Sequence, residues 1–159
     1  MRKNLIFVTG YLGSPIEDAA RQIAREKGLD FLSLDEEIEK EDGRSVLRIC
    51  MMMGEHEYRN KEYEMLQKIA DGEQNNLVVS CSDGVLYDDM SKSIIMQNEL
   101  VVVGSDMNCD ELWERACRLD SSYHAFLHFG TAEEKRKAFD DFCERQCMLF
   151  GDNKMEGLK

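Results

Sequence analysis

The chain is poor in proline, in positive charge and in long apolar runs. It has one Pro among 159 residues, and 43% of its residues are hydrophobic, which is typical of a folded domain and excludes a disordered chain. There are 20 basic residues against 32 acidic ones, a formal net charge of −12. Because nucleic-acid binders concentrate positive charge on one face, this balance excludes a nucleic-acid partner.

The lengths of the apolar runs indicate whether the chain could cross a membrane or carry a secretion signal. None approaches the roughly 20 residues that a membrane-spanning helix needs. The first run, at residues 5–8, is also too short for a secretion signal, and Gly10 follows it closely. The sequence therefore predicts a single cytoplasmic domain with no membrane contact, long enough to bury one core.

Six cysteines are present, and none forms a C-x-x-C pair. In a cytoplasmic protein we expect them to be reduced and mostly buried as small apolar side chains. Cys143 and Cys147 lie four residues apart, as do His124 and His128, so a four-ligand metal site can be drawn from them. Zinc ligands usually come in tighter pairs, and we expect no metal.

Short apolar runs alternate with helical segments along the chain. Strands are predicted at residues 4–9, 31–34, 77–80 and 100–103. Helices are predicted at residues 15–27, closed by Gly28, and at 132–147, with short helices over 35–70 that are interrupted at Gly43 and Gly54. This alternation predicts an α/β protein with a mostly parallel sheet.

Two stretches invite a metal-site interpretation that we do not favour. The acidic run at residues 35–42 stands where a helix would begin, and carboxylates there are favoured by the helix dipole and remain solvated. The three consecutive methionines at residues 51–53 are predicted to be adaptable core side chains.

A glycine-containing turn between the first strand and the first helix is where a phosphate-binding loop belongs. The turn consists of Gly10, Tyr11, Leu12, Gly13, Ser14, Pro15, Ile16 and Glu17. Further motifs follow in order: Leu34-Asp35 with Ile38-Glu39, Gly43-Arg44-Ser45, Gly54-Glu55 before Tyr58-Arg59 and Glu62, Glu111-Leu112-Trp113-Glu114-Arg115, and Arg145. Over roughly residues 4–150, this order and spacing resemble the shikimate kinases of the P-loop kinase superfamily.

The resemblance implies a three-layer α/β/α P-loop kinase-like fold with a mostly parallel sheet. We expect four strands, because the sequence after Phe150 does not provide the fifth strand of that family. It implies one domain at residues 1–150, with an acceptor-binding helical insertion at 35–72 and a degenerate lid at 118–132. Residues 151–159 are expected to form a flexible tail.

The resemblance also implies an acceptor site for a shikimate-like small acid. Asp35 matches the family residue that contacts ring hydroxyls, and Arg59 and Arg145 match two arginines whose planar forks suit a carboxylate. Of the family's triple glycine only Gly84 remains, because Ser82 and Asp83 occupy the first two positions.

The nucleotide side departs from the family, which uses ATP and Mg²⁺. Pro15, Ile16 and Glu17 stand where the family has the last loop glycine, a lysine and a serine or threonine. Pro15 lacks an N–H, and Ile16 lacks the charge that neutralises phosphate oxygens. Ser14 and Glu17 fit a capping box that would close the helix N-terminus.

Two further losses are expected on the nucleotide side. Ser33 replaces a magnesium-associated Asp, and the lid region at 121–127 contains no Arg. We therefore expect no catalytic residue and no cofactor.

The sequence predicts a non-catalytic, pseudokinase-like binding or regulatory module. One alternative is an active shikimate kinase or related small-molecule kinase in which Arg44, Arg48 or Lys61 supplies the missing charge. Another is a protein-interaction subunit, since an uncovered fourth strand would leave an open sheet edge for a partner or a second copy.

Overall fold

A computed structural model describes residues 4–118 and 124–157 of the chain. Its four parallel strands form one sheet in the order β2-β3-β1-β4. The strands are β1 Leu5–Gly10, β2 Asp30–Ser33, β3 Leu77–Ser80 and β4 Glu99–Val103. Every residue of β1 and of β3 is buried, as expected for inner strands of a parallel sheet.

Helices connect and cover the strands. They are α1 Ile16–Lys27, α2 Leu34–Asp42, α3 Val46–Met53, α4 Glu55–Asp71, α5 Asp89–Met96, α6 Cys109–Cys117 and α7 Ala132–Gly157. Short 3-10 turns lie at Val85–Tyr87 and Ala125–Leu127. No helix within the described residues is both long and apolar enough to span a membrane.

The two faces of the sheet bury different side chains, because successive residues of a strand point to opposite sides. Ile6 and Val8 of β1 pack with Ala20 and Ala24 of α1 in a small cluster. Phe7 joins the larger core on the other face, which includes α4, α5 and α7. These layers confirm the predicted three-layer α/β/α architecture with a four-stranded parallel sheet.

Glycines end the helices where the sequence indicated. Gly28 closes α1 in the left-handed conformation with φ 67°, and Gly43 closes α2 with φ 91°. Gly54, with φ 90°, separates α3 from α4. The last helix is longer than predicted, since α7 continues past residue 147 to Gly157. Most of the predicted lid is described, but residues 119–123 lie outside the described part.

The prediction that residues 51–53 belong to the core is wrong. Met51, Met52 and Met53 are 73%, 62% and 52% exposed. The short helix α3 reaches the core through Val46 and Ile49, and its last turn projects beyond the core.

The cysteines also differ from expectation. All six are free thiols, but only Cys81 and Cys143 are buried. Cys109, Cys117 and Cys147 are exposed, because they lie on sides of α6 and α7 that face solvent. The expectation that the cysteines are mostly buried is therefore wrong.

Candidate functional site

A cavity of about 550 Å³ lies at the carboxyl ends of the inner strands. Parallel α/β proteins bind their ligands at this end of the sheet. Its lining brings together the turn after β1, the start of α2 and the segment after β3, including Gly13, Ser14, Ile16, Glu17, Asp35, Ser82 and Asp83. The fold thus joins segments that the sequence separates by up to seventy residues.

Charge in this cavity is of one sign. Of the described residues that line it, five carry a carboxyl group and none is Lys or Arg. The five are Glu17, Asp35, Glu36, Glu39 and Asp83. The cavity is therefore suited to a neutral or cationic group and opposes a polyanion.

Several N–H groups of the turn from Gly10 to Glu17 donate to backbone carbonyls of the protein. The amide of Tyr11 donates to the carbonyl of Val103 at 3.0 Å, and that of Ser14 to the carbonyl of Tyr11 at 2.9 Å. The amide of Ile16 donates to the carbonyl of Ser14 at 2.9 Å. Pro15 has no N–H to offer. The amides of Tyr11, Ser14 and Ile16 therefore have acceptors inside the protein.

Gln146 of α7 joins two segments of the site, a role that the sequence analysis missed. Its side chain is fully buried. Its Oε1 accepts from the amide of Leu12 at 2.9 Å, and its Nε2 donates to the carbonyls of Asp83 at 2.9 Å and Gly10 at 3.4 Å. The sequence does show that Gln146 is a polar residue on an otherwise apolar face of a helix. It does not show which groups Gln146 binds, because they lie more than sixty residues away along the chain.

Gly13 fits against α6 in a way that excludes a side chain. Its φ is +93°, and a Cβ would come 2.3 Å from the carbonyl oxygen of Leu112. Arg115 of α6 donates from Nε to the Gly13 carbonyl at 2.7 Å. The turn is thus bound to α6 as well as to α7.

The predicted capping box between Ser14 and Glu17 is wrong. The hydroxyl of Ser14 donates to the carbonyl of Tyr11 at 2.6 Å, and α1 begins after Pro15 without a side-chain cap. Glu17 instead pairs with Arg21 one turn along the helix, at 2.9 Å. Ser14 belongs to the preceding turn, so its hydroxyl is directed away from the helix amides.

Asp35, predicted as an acceptor-binding residue, lines the large cavity at the start of α2. The hydroxyl of Tyr58 donates to its Oδ1 at 2.5 Å. Burial, with a smaller contribution from the neighbouring Glu62 carboxylate, raises the pKa of Asp35 to about 7. The expectation that the whole acidic run is solvated is therefore wrong for Asp35.

Arg59 is held in a buried network. Its Nη1 donates to Glu62 at 2.6 Å and to the hydroxyl of Ser82 at 3.1 Å, while Ser82 donates to the second carboxylate oxygen of Glu62 at 2.6 Å. Its Nε and Nη2 donate to one carboxylate oxygen of Glu55 at 3.2 and 2.9 Å. Burial raises the pKa of Glu62, an effect opposed by Arg59.

Arg59 and Arg145, the two predicted acceptor arginines, line a second cavity of about 340 Å³. Its other lining residues are Glu55, Tyr87, His124, Phe126 and Phe142. Arg145 is exposed, and its guanidinium carbon lies 5.7 Å from the centre of the Phe142 ring. Gly84, the last predicted acceptor residue, is buried between Asp83 and the 3-10 turn at Val85–Tyr87.

His124 is a second residue of the site that sequence reasoning did not find. It is buried, and its Nε2 lies 2.7 Å from Oδ1 of Asp83. Its ring also contacts Phe142 edge-on, with 4.7 Å between the ring centres. The sequence offered His124 only as one of four metal ligands, and no group of three or more such side chains suited to a metal occurs in the described part of the chain.

Two of the three cations considered for the alternative of an active kinase are paired with a carboxylate outside the large cavity. Arg44 and Lys61 both pair with Asp42, at 2.6 and 3.0 Å. These bonds hold the pKa of the Asp42 carboxyl well below its usual range. Neither cation lines the large cavity.

Comparison with known proteins identifies relatives in one family. The family model described as shikimate kinase matches residues 18–148. The shikimate kinase of Chlorobaculum tepidum is 36% identical over 99 residues, which cover 62% of this chain and 51% of that protein. The shikimate kinase of Persephonella marina is 30% identical over 115 residues, covering 72% and 68%.

In three of the matched shikimate kinases, including that of Chlorobaculum tepidum, the matched segment spans about half of the relative's length. Among solved structures, the shikimate kinase of Acinetobacter baumannii in complex with shikimate has a TM-score of 0.73 at 19% identity, covering 92% of this chain and 79% of that one. The shikimate kinase of Bacteroides thetaiotaomicron also has a TM-score of 0.73, at 23% identity, covering 99% and 85%. These similarities concern the fold.

Proposed function

Since this chain belongs to the shikimate kinase family, we propose that it is a member that does not transfer phosphate and serves as a binding or regulatory module. The observation that carries the proposal is the turn at residues 10–17. Four of its amides, those of Tyr11, Leu12, Ser14 and Ile16, are bonded within the protein, and it borders a cavity whose only charged side chains, among the described residues that line it, are carboxylates.

A phosphate-binding loop works because several backbone N–H groups point at the anion together. In this chain the amides of Leu12, Ser14 and Ile16 already have acceptors. Binding a phosphate would break these bonds. The N–H lost at Pro15 has no replacement, so the loop would gain little in return.

Electrostatics oppose a nucleotide in the same place. Glu17 lines the cavity at the start of α1, where the phosphates would lie. At about 4–5 Å and an effective dielectric near 20, each repulsion between a carboxylate and a phosphate charge costs roughly 3–4 kcal/mol before screening. The pair with Arg21 offsets part of this repulsion. Ile16 offers no positive charge to the phosphates themselves, and phosphoryl transfer depends on such neutralisation.

The acceptor side retains the groups that a small acid would need. Arg59 and Arg145 line one cavity together with the aromatic rings of Tyr87, Phe126 and Phe142. In this proposal an incoming carboxylate takes the place of Glu55 on the Arg59 fork, since the Glu55 side chain is 55% exposed and can turn away. The ligand class is a cyclic carboxylic acid similar to the shikimate in the Acinetobacter baumannii complex.

Calorimetric titration with ATP and Mg²⁺ is the direct test of the non-catalytic part of the proposal. We expect no saturable heat at millimolar ATP, while the Chlorobaculum tepidum kinase serves as the positive control. A matched variant, Pro15→Gly with Ile16→Lys and Glu17→Ser, should gain measurable affinity if the loop alone prevents binding. Saturable binding by the unmodified protein would contradict the proposal.

The acceptor part is tested separately by titration with shikimate. Arg145→Ala should abolish binding. Arg118→Ala should leave binding unchanged, because Arg118 is an exposed arginine at the end of α6 that pairs with Glu114 and does not line this cavity. If the unmodified protein has no affinity for shikimate or similar acids, the acceptor site is vestigial, and regulation through a protein surface becomes the stronger form of the proposal.

One such surface is the edge formed by β4. Within the described residues β4 pairs with β1 and has no strand on its other side. Open edges of this kind pair with strands of other chains. We propose it as the contact for a protein partner or a second copy, which sedimentation of the purified protein over a concentration series would detect.

A further inference from the structure

The residues predicted to bind an acceptor acid line two different cavities. Asp35 lines the cavity of about 550 Å³, whereas Arg59 and Arg145 line the cavity of about 340 Å³. The sequence analysis assigned the two arginines to a carboxylate and Asp35 to ring hydroxyls. A ligand whose carboxylate is held by the arginines therefore lies in a cavity that Asp35 does not line.

Two hydrogen-bonded pairs of side chains stand between the cavities. Ser82 lines the larger cavity, and its hydroxyl accepts from Nη1 of Arg59 at 3.1 Å. Asp83 also lines the larger cavity, and its Oδ1 lies 2.7 Å from Nε2 of His124, which lines the smaller one. Ser82 and Asp83 match glycines in the family's triple glycine. The side chains that separate the cavities are therefore ones that glycines would lack.

Aromatic rings form much of the lining of the smaller cavity. The centre of the Phe142 ring lies 4.7 Å from that of His124 and 5.7 Å from that of Phe126. The Tyr87 ring is 5.8 Å from Phe142 on the same measure. Aromatic rings attract each other at separations of roughly 4.5–7 Å. Phe126 and Phe142 are only partly buried, so each has ring surface left for a ligand.

The charged groups of this cavity suit a single carboxylate. The guanidinium carbon of Arg145 lies 5.7 Å from the centre of the Phe142 ring, so a ligand that packs on the ring has a cation beside it. Glu55, the one carboxylate among the described lining residues, already pairs with Arg59 at 2.9 Å. No further carboxylate in this lining would accept hydrogen bonds from ring hydroxyls, and a buried hydroxyl without a partner is costly.

We propose that the smaller cavity selects an aromatic monocarboxylic acid over a hydroxylated, non-aromatic acid such as shikimate. This inference rests on the proposed function, since it takes Arg59 and Arg145 to bind the carboxylate. The ligand's ring packs against Phe126 and Phe142, and contacts between aromatic rings contribute beyond the burial of apolar area. A volume of about 340 Å³ is near the lower end of the range for small-molecule sites, so the ligand has a single ring.

Calorimetric titration with benzoate, cyclohexanecarboxylate and shikimate tests the preference. All of these acids have one six-membered ring and one carboxylate, but only benzoate is aromatic and only shikimate carries hydroxyls. We expect benzoate to bind at least about tenfold more tightly than shikimate, because the ring hydroxyls would lose water without gaining a carboxylate partner. Cyclohexanecarboxylate should bind with intermediate affinity, since it lacks both the hydroxyls and the aromatic ring.

Variants locate the binding in this cavity. Phe142→Leu keeps an apolar side chain but removes a ring, so it should lower the affinity for benzoate to that for cyclohexanecarboxylate. Phe129→Leu is the matched control, because Phe129 is 70% exposed and does not line the cavity. It should keep the preference for benzoate. Arg145→Ala should abolish the binding of benzoate.

The outcomes separate this inference from the proposed function. Shikimate that binds as tightly as benzoate, or more tightly, would overturn the inference and leave the proposed acceptor site intact. If no acid of the series binds, the inference and the acceptor part of the proposed function both fail, whereas the part tested with ATP is unaffected. Benzoate binding that survives Arg145→Ala would also overturn the inference. The comparison of acids on the unmodified protein decides the matter even if Phe142→Leu folds poorly.

Discussion

At the scale of single residues, the site depends on charges that are buried with their partners. Arg59, Glu62 and Ser82 form a network in which Glu62 is fully buried. Such a network adds little net stability over an apolar replacement, but it becomes costly when one member is removed. Asp35 lies beside this network, and the proximity of its carboxyl to Glu62 contributes to its raised pKa.

Arg59→Met is expected to lower the free energy of unfolding by about 3–5 kcal/mol, because Glu62 is left as an unpaired buried charge. Arg59→Met combined with Glu62→Leu should recover most of this loss. The measurement is urea denaturation at pH 7. Arg118→Met breaks an exposed pair with Glu114 and should cost less than about 1 kcal/mol. If Arg59→Met and Arg118→Met lower the free energy of unfolding equally, removing Arg59 does not leave Glu62 as an unpaired buried charge.

Asp35 should make stability fall as pH rises from about 4 to about 7. Its carboxyl keeps its proton in the folded state up to a pKa of about 7, whereas the unfolded chain loses it near 3.8. The folded state therefore binds more protons between these values, and it loses that advantage as pH rises. Each tenfold difference in proton affinity is worth about 1.4 kcal/mol.

Urea denaturation between pH 4 and 8 measures this dependence. Asp35→Asn should flatten it and leave the contribution of Glu62, whose pKa is raised in the same direction. Asp30→Asn, which alters an exposed carboxyl at the start of β2, should keep the original slope. If Asp35→Asn and Asp30→Asn show the same dependence of stability on pH, the dependence does not come from Asp35.

At the scale of elements, the turn at residues 10–17 is held from outside. It receives hydrogen bonds from Arg115 of α6 and exchanges them with Gln146 of α7. A phosphate in such a loop accepts hydrogen bonds from backbone amides. In this chain Gln146 accepts from the amide of Leu12, whereas Arg115 donates to the carbonyl of Gly13, so side chains of two helices fix the shape of the turn.

Gly13→Ala is expected to destabilise the protein by about 3 kcal/mol. Roughly 1 kcal/mol comes from the positive φ of a non-glycine residue, and about 2 more from the collision with the Leu112 carbonyl. Gly43→Ala is the matched control, because its φ is +91° and nothing lies within 4 Å of its Cβ position. It should show only the first contribution in thermal or urea denaturation. If both variants lose the same free energy of unfolding, the turn can move away from α6 to make room for the Cβ of residue 13.

At the scale of the whole molecule, the net charge of −12 is spread over a small domain. Repulsion among these charges opposes the compact state, and salt screens it over about 10 Å at 0.1 M. The acidic cavity adds to this field locally, since five of its described lining residues are carboxylic acids. The same field disfavours the approach of polyanions.

The urea midpoint should therefore rise when NaCl is increased from about 10 to about 150 mM. A variant with Glu73→Lys and Glu144→Lys, both at exposed positions, changes the net charge from −12 to −8, because each substitution replaces one negative charge by one positive charge. Its midpoint should depend less on salt. A midpoint that is independent of salt in both proteins would show that specific pairs, and not net charge, govern the stability.

The sequence by itself determined the features that depend on near neighbours. Apolar runs indicated β1 and β3, and Gly28, Gly43 and Gly54 marked helix ends, because strand alternation and left-handed caps are local properties. The family and its α/β fold also followed from motifs in order along the chain. That Ile16 carries no positive charge needed no coordinates either.

Tertiary structure alone decided how the site is held and charged. Gln146 and His124 reach Leu12 and Asp83 across the fold, and no local pattern records such partners. The capping box failed because Ser14 has a nearer acceptor in the preceding turn. Burial depends on which elements pack together and not on residue type. For this reason the three methionines at residues 51–53 and half of the cysteines are exposed, although both residue types are usually buried. For the same reason the Asp35 carboxyl is partly desolvated.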